Sequence, residues 1–439
     1  MFTYHLRLAF KSLRRNPVLS ALMIGAIALG VGVCSTTLTV YRLMSGNPIA
    51  HRNDVLYSVT VDNWDPARPW NEKRPDIAPM EIAYRDAMAL GASKIPSRHV
   101  VMRKTTFVVD PSRTNGAKPF QVEARLATKD FFTMFDTPFL YGGGWDQAAD
   151  DGAQNVVVLT RNTNQKTFGD VNSVGRTLQL DGRDYKVVGV LNEWNPSPKF
   201  YDLNNGAFDE PEELFVPLSV GAALELPPAG NVNCWRNEPL NSYTDLMNSD
   251  CVWHQFWVQL DNDEQVQSFR TLVDNYVRDQ KALGRFPRPM NNHLYRPDEW
   301  LKHNRVVRND NRVLVGLSFM FLAVCLLNML GLLLAKFLGG APLVGLRRAL
   351  GASRSMIFRQ HLVEVSVIGV AGGLLGVGLT VLGLLQIRTM YENYEGLTRV
   401  DFTMGVIAIA IALAAGIIAG LYPTWRVCRT QPASYLKTQ

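Results

Sequence analysis

The stretch Val313–Arg359, VLVGLSFMFLAVCLLNMLGLLLAKFLGGAPLVGLRRALGASRSMIFR, opens with 23 uncharged residues and then carries five cations and no acid. At about 1.5 Å per residue, such a run covers the roughly 30 Å hydrocarbon core of a bilayer. Three more uncharged runs lie at Asn16–Tyr41, Val365–Ile387 and Phe402–Trp425. One span therefore precedes a long polar block, and three follow it. This predicts an α-helical membrane protein with four transmembrane helices, arranged one plus three around a large α+β periplasmic domain.

The positions of arginine and lysine orient these spans, because short basic segments stay on the cytoplasmic side. Arg7, Lys11, Arg14 and Arg15 precede the first span. Lys336, Arg347, Arg348, Arg354 and Arg359 lie between the second and third, and Arg426, Arg429 and Lys437 follow the fourth. The connection holding Arg388, Glu392, Glu395, Arg399 and Asp401 is mixed in charge, as an outer loop is. Both termini are expected in the cytoplasm of an inner-membrane protein. The predicted segments are an amphipathic 1–15, span 16–45, periplasmic domain 46–310, span 311–338, cytoplasmic loop 339–359, span 360–387, outer loop 388–401, span 402–425 and tail 426–439.

The net charge of +6 collects largely in the membrane-flanking segments, so topology accounts for it without a nucleic-acid partner. The first uncharged run is too long for a typical signal-peptide core, and Val31-Gly32-Val33 before Cys34 lacks a lipoprotein processing site, so it reads as an uncleaved helix. Cys234 and Cys251 are the two cysteines of the external block, where an oxidising compartment predicts a disulfide. Neither sits in a Cys-x-x-Cys or histidine cluster, so no metal is expected there.

Within the block, 55–61, 100–109, 120–126, 156–160 and 185–191 read as strands from their β-branched content. Residues 78–90 and 264–280 have helical spacing. Gly142–Gly144 and 192–205 read as turns or linkers between two lobes. Eight tryptophans of this block are expected mostly in cores. The histidines are scattered, so no catalytic nucleophile or metal centre assembles and the chain is read as non-catalytic.

In the spans, Gly372/Gly376 and Gly416/Gly420 have the GxxxG spacing that brings helices close, within one protomer or against a second permease. Glu364 enters a span about one turn from the cytoplasmic edge, within reach of Arg359 or a cation of a neighbouring helix. Asn328 reads as a helix–helix hydrogen bond. The loop is read as a short surface helix presenting Leu346, Leu350 and Ile357 on one side and arginines on another, with Gly351 ending it.

Four segments carry a family resemblance. VVVLTRNTNQKTFGDVNSVGRTLQLDGRDYKVVGVL at 156–191 and TKDFFTMFDTPFLY at 128–141 resemble the external domain of MacB-like permeases, the macrolide-exporter family of ABC transporters. VGLRRALGASRSMIF at 344–358 and GLYPTWRVCRTQPASYL at 420–436 resemble the FtsX-like domain these permeases share. One departure is Pro342-Leu343-Val344, where many members carry an acid before the glycine. The resemblance implies a permease dimer whose loop residues Leu346, Arg347, Arg348, Leu350, Gly351 and Arg354 dock an ATPase. It implies export from the periplasmic side, often with a periplasmic adaptor and an outer-membrane channel. Membrane lipids are the remaining partner.

No Gly-Lys-Ser/Thr phosphate loop occurs in the 439 residues, so ATP and Mg are expected on a separate ATPase chain and no cofactor on this one. Two alternatives keep the same topology: a lipoprotein-releasing transporter subunit, and an FtsX-type regulator of a cell-wall hydrolase.

Overall fold

The computed structural model describes residues 2–112, 114, 116–307, 309–390 and 402–429. Residues 391–401 of the expected outer loop 388–401 and residues 430–439 of the expected tail 426–439 lie outside the described residues, while 388–390 and 426–429 continue the spanning helices. The chain divides into two units, one made of 1–45 and 307–439 and the other of 46–306.

The membrane unit begins with α1 (Phe2–Arg15) and α2 (Pro17–Ser45). The helices of the external unit are α3 (Tyr84–Gly91), α4 (Phe131–Met134), α5 (Gln147–Asp151), α6 (Arg161–Phe168), α7 (Leu218–Ala223), α8 (Tyr243–Asn248), α9 (Asp263–Ala282) and α10 (Pro297–His303). The chain then returns as α11 (Asn309–Gly339), α12 (Ala341–Ala349), α13 (Arg354–Met390) and α14 (Phe402–Arg429). The helices α2, α11, α13 and α14 are long and apolar enough to cross a membrane. Pro17, with its φ preset and no N–H to lose, opens α2 after Asn16 ends α1.

The external unit is built on β1 (Leu56–Thr60), β2 (Ile82–Ala83), β3 (Arg98–Asp110), β4 (Phe120–Ala127), β5 (Phe139–Gly142), β6 (Val156–Leu159), β7 (Thr177–Leu180), β8 (Arg183–Leu191), β9 (Leu214–Pro217), β10 (Val252–Gln259) and β11 (His293–Tyr295). They form one mixed sheet in the order β11-β1-β10-β3-β4-β9-β6-β8-β5, with β2 on β10 and β7 on β3 and β8. The strands expected in two lobes thus share a single sheet. The 13-residue β3 makes this continuity, pairing β10 over its first half and β4 over most of its length.

Both faces of the sheet are covered, which is why its central strands read as unbroken apolar runs. Val157 and Leu159 of β6 enter one core while Val156 and Val158 enter the other. The first core receives Phe269, Val273 and Val277 of α9, spaced by one helical turn each. Phe131, Phe132 and Met134 of α4 fill the second, among Phe135, Tyr201, Phe215 and Trp257. Trp145, Trp253, Trp257 and Trp300 are buried, whereas Trp64 and Trp70 meet edge-on at partly exposed positions.

The helix expected at 78–90 begins only at Tyr84. Ile82 and Ala83 are instead taken by antiparallel pairing with His254 and Val252 of β10, a non-local partner that helical spacing cannot reveal. Cys234 and Cys251 are joined by a disulfide. Beside it Asn233 bridges Val252, so the bond ties a loop to the start of β10.

Candidate functional site

The acid-free loop folds into α12 and the first turns of α13. Pro342 stands in the first turn of α12, where an imino residue is tolerated. Ala341, Val344 and Gly345 face inward, while Leu343, Leu346 and Leu350 point out and Leu350 is 80% exposed. The helix closes on Leu350. The Gly351 N–H then donates to the Arg348 carbonyl, and the Ala352 N–H to the Arg347 carbonyl, at 3.1 and 3.0 Å. This double closure requires a left-handed residue at its turn, and Gly351 supplies φ +100°. The Arg347 guanidinium donates to Gln360 Oε1 at 2.9 Å, which fastens α12 to α13. Arg354 opens α13 at an exposed position.

Ile357 does not share the apolar face of Leu346 and Leu350. It lies on α13 and is 3% exposed, packed in the membrane-unit core. The loop thus shows solvent a leucine ridge flanked by arginines, with Ile357 beneath it as an anchor.

Just inside this loop a polar cluster joins four helices. Lys336 Nζ of α11 lies 2.7 Å from Glu364 Oε1 of α13, with both side chains buried. Ser12 of α1 donates to Glu364 Oε1 at 2.5 Å, Lys336 reaches Ser20 Oγ of α2 at 3.4 Å, and His361 Nδ1 lies 3.5 Å from Glu364 Oε2. Of the two partners expected for the intramembrane carboxylate, the cation of a neighbouring helix, Lys336, takes the place, and Arg359 is exposed. Ser12 and His361 escaped the sequence reading. The one available signal was the i, i+3 spacing of His361 and Glu364.

Glycines set the helix spacing above this cluster. A Cβ at Gly372 would lie 2.7 Å from Ile27, and one at Gly376 would lie 3.1 Å from Val31, so this pair seats α13 on α2. One at Gly416 would lie 3.3 Å from Gly369 Cα, and one at Gly420 would lie 2.5 Å from Val365, which seats α14 on α13. Both GxxxG pairs are used within the protomer. Asn328 sits on the exposed side of α11 and has no hydrogen-bond partner among the described residues. The buried face of α11 carries Leu322, Met329 and Leu333 instead.

In the external unit, burial strongly perturbs several carboxyls. Arg125 of β4 is fully buried between Asp202, at 2.6 Å, and Glu212, with Gln255 Oε1 accepting at 3.1 Å. Lys199 and Tyr201 complete the shell of Glu212. Burial alone would raise the Glu212 pKa, but Arg125 and Lys199 hold it well below the usual carboxylate range. Glu81 lies at the edge of the same network, hydrogen-bonded by Asn205 and Gln255. Burial, and then the charge of Asp202, push it up to about 8. These groups lie among packed side chains and form a structural network.

Four apolar spanning helices, a periplasmic-type α/β unit inserted after the first of them and a basic loop helix between the second and third define a membrane permease architecture. The MacB-like periplasmic core domain matches residues 20–276, and the FtsX-like permease C-terminal domain matches 315–432. The chain belongs to the MacB/FtsX-like family of ABC transporter permeases.

Among its relatives, an uncharacterized ABC transporter permease of Bacillus subtilis, YvrN, is 23% identical over 70% of this chain and 68% of its own length. The pyoverdine export ATP-binding/permease protein PvdT of Pseudomonas syringae pv. tomato is 24% identical over 70% of this chain. The macrolide export ATP-binding/permease protein MacB of Hyphomonas neptunium is 21% identical over 99% of it. The alignments span 42% and 60% of these last two proteins. The periplasmic region of MacB from Actinobacillus actinomycetemcomitans superposes with a TM-score of 0.37 at 12% identity, covering 60% of this chain and 99% of that one. The four apolar helices and the periplasmic core domain match make this a membrane protein with a periplasmic domain, and its family implies an ATPase partner.

Proposed function

We propose that this chain is a non-catalytic permease subunit that passes ATP-driven motion from a separate ATPase to its periplasmic unit, and so exports substrate from the periplasmic side. ATP and Mg belong to the partner. The permease acts as a dimer in the inner membrane with both termini cytoplasmic, and an adaptor and outer-membrane channel complete the route. The supporting observation is α12. It presents Leu343, Leu346 and Leu350 with Arg347 and Arg348 on a turn locked by main-chain bonds and fastened to α13 through Gln360. A stiff helix end bearing apolar and cationic groups suits docking on a carboxylate-edged groove, and a push on it is delivered directly into a spanning helix.

Arg347→Glu with Arg348→Glu reverses the charge of this face, and like charges across an interface cost several kcal/mol. The double variant should insert normally, copurify with little ATPase and lose transport. Arg347→Ala with Arg348→Ala should show a milder loss. Full ATPase binding and transport by both variants would reduce the loop to a topology signal.

A further inference from the structure

Beside the Lys336–Glu364 pair, a pocket of about 780 Å³ opens among α1, α11, α12 and α13. Its buried wall is Lys336, His361 and Glu364, and its outer wall includes the exposed Lys11 and Arg15 and the half-buried Arg347. Four lining cations face one carboxylate, and that carboxylate is already held by Lys336. The remaining excess is three positive charges. Lys11 and Arg15 have no carboxylate partner among the described residues. They stand four residues apart on α1, so both project from the face that also places Leu8 and Ser12 at the pocket. Arg7 and Arg14 of the same helix are exposed and do not line it.

Depth selects the kind of anion. Lys336 ends the uncharged run of α11, and Glu364 lies just before that of α13. The pocket therefore sits where spanning helices leave the hydrocarbon, at the level of lipid phosphates. Leu8, Leu19 and Leu343 give it an apolar side, which a free inorganic anion does not need and an acyl-glycerol does. Its volume is in the ligand-pocket range of about 300–1,000 Å³. Basic pockets between membrane helices bind anionic headgroups by this combination.

We propose that the pocket holds an anionic glycerophospholipid of the leaflet on the basic side of the membrane, with its phosphate at Lys11, Arg15 and Arg347. The bound lipid links the amphipathic α1 to the loop helix α12. The assignment rests on the four spans and their basic ends, and is independent of what the permease exports.

The test is native mass spectrometry of the full chain in detergent, titrated separately with phosphatidylglycerol and phosphatidylcholine. Wild type should prefer phosphatidylglycerol. Lys11→Gln with Arg15→Gln should lower that affinity roughly thirty-fold, the effect of two cations at a membrane surface, and leave phosphatidylcholine unchanged. Arg7→Gln with Arg14→Gln removes equal charge outside the pocket and should leave both lipids unchanged. The charge-keeping Lys11→Arg with Arg15→Lys should retain the preference.

Equal losses in the two glutamine variants would show diffuse surface charge and overturn the site, and so would loss in the charge-keeping variant. Displacement of phosphatidylglycerol by inorganic phosphate at matched concentration would make it a free-anion site instead. ATPase copurification, scored in parallel, separates failure of this proposal from failure of the coupling role.

Discussion

The two units close their interiors by opposite means. The external unit buries whole charged networks, with Arg125, Lys199, Asp202 and Glu212 each 1% exposed or less. In the membrane unit, interior ion pairing among the described residues is gathered at Lys336 and Glu364, near one end of the spans, and the rest is closed by glycine, alanine and branched apolar residues. The difference follows from the solvent each unit displaces. A domain in water can order polar side chains inside a large core if every one finds partners. Helices in lipid gain little from apolar contact and rely on close backbone approach. Charge inside the membrane unit is thus confined, among the described residues, to one buried cluster near the basic end of the spans.

Removing the centre of the external network is the harshest way to test this contrast. Arg125→Met leaves Glu212 and Asp202 buried without their main counter-charge, and breaking a buried pair costs about 3–5 kcal/mol. The thermal transition of the detergent-purified chain, followed by tryptophan fluorescence, should fall markedly. The readout is apt because eight of nine tryptophans lie in this unit. An unchanged transition would mean that the charges are not coupled to folding.

The pH dependence of the same unit should be set partly by Glu81. Its folded pKa is raised to about 8, so its contribution is fully present below the unfolded value near 4.5 and is lost as pH rises toward 8. Glu81→Gln keeps an oxygen to accept from Asn205 and Gln255 but cannot ionise. The variant should be more stable than wild type at pH 8 by a few kcal/mol and equal to it near pH 4. Parallel melting curves for the two proteins across this range would contradict the assignment.

In the membrane unit the corresponding effects are smaller and steric. Gly372→Leu drives a side chain into Ile27 and should cost about 1–3 kcal/mol. A Cβ at Gly378 would meet nothing within 4 Å, so Gly378→Leu should leave stability close to wild type. Detergent melting and cross-linking between α2 and α13 would distinguish the two. Equal behaviour would mean that glycine position is immaterial.

How far each unit was legible follows the same division. The spans and the central strands are readable because burial on all sides leaves continuous apolar runs, as in Val156–Leu159. Local turn chemistry was readable too, since Gly351 ends α12 as its position implies. Partners distant in sequence were not. Ile82 and Ala83 follow β10 rather than their own helical spacing, and of the cations expected for Glu364, Arg359 or one on a neighbouring helix, spacing did not single out Lys336. Ile357 erred for the same reason: which side of a helix is covered depends on neighbours that spacing does not name.

The turn at Gly351 divides two properties that surface loops usually mix. Its closure uses the carbonyls of Arg347 and Arg348 and the left-handed Gly351, so the course of the chain there depends on main-chain atoms and one glycine. The side chains of Leu343, Leu346 and Leu350 take no part in that closure. If this face docks the ATPase as proposed, its exposed leucines can change with the partner while the glycine turn between α12 and α13 stays as it is.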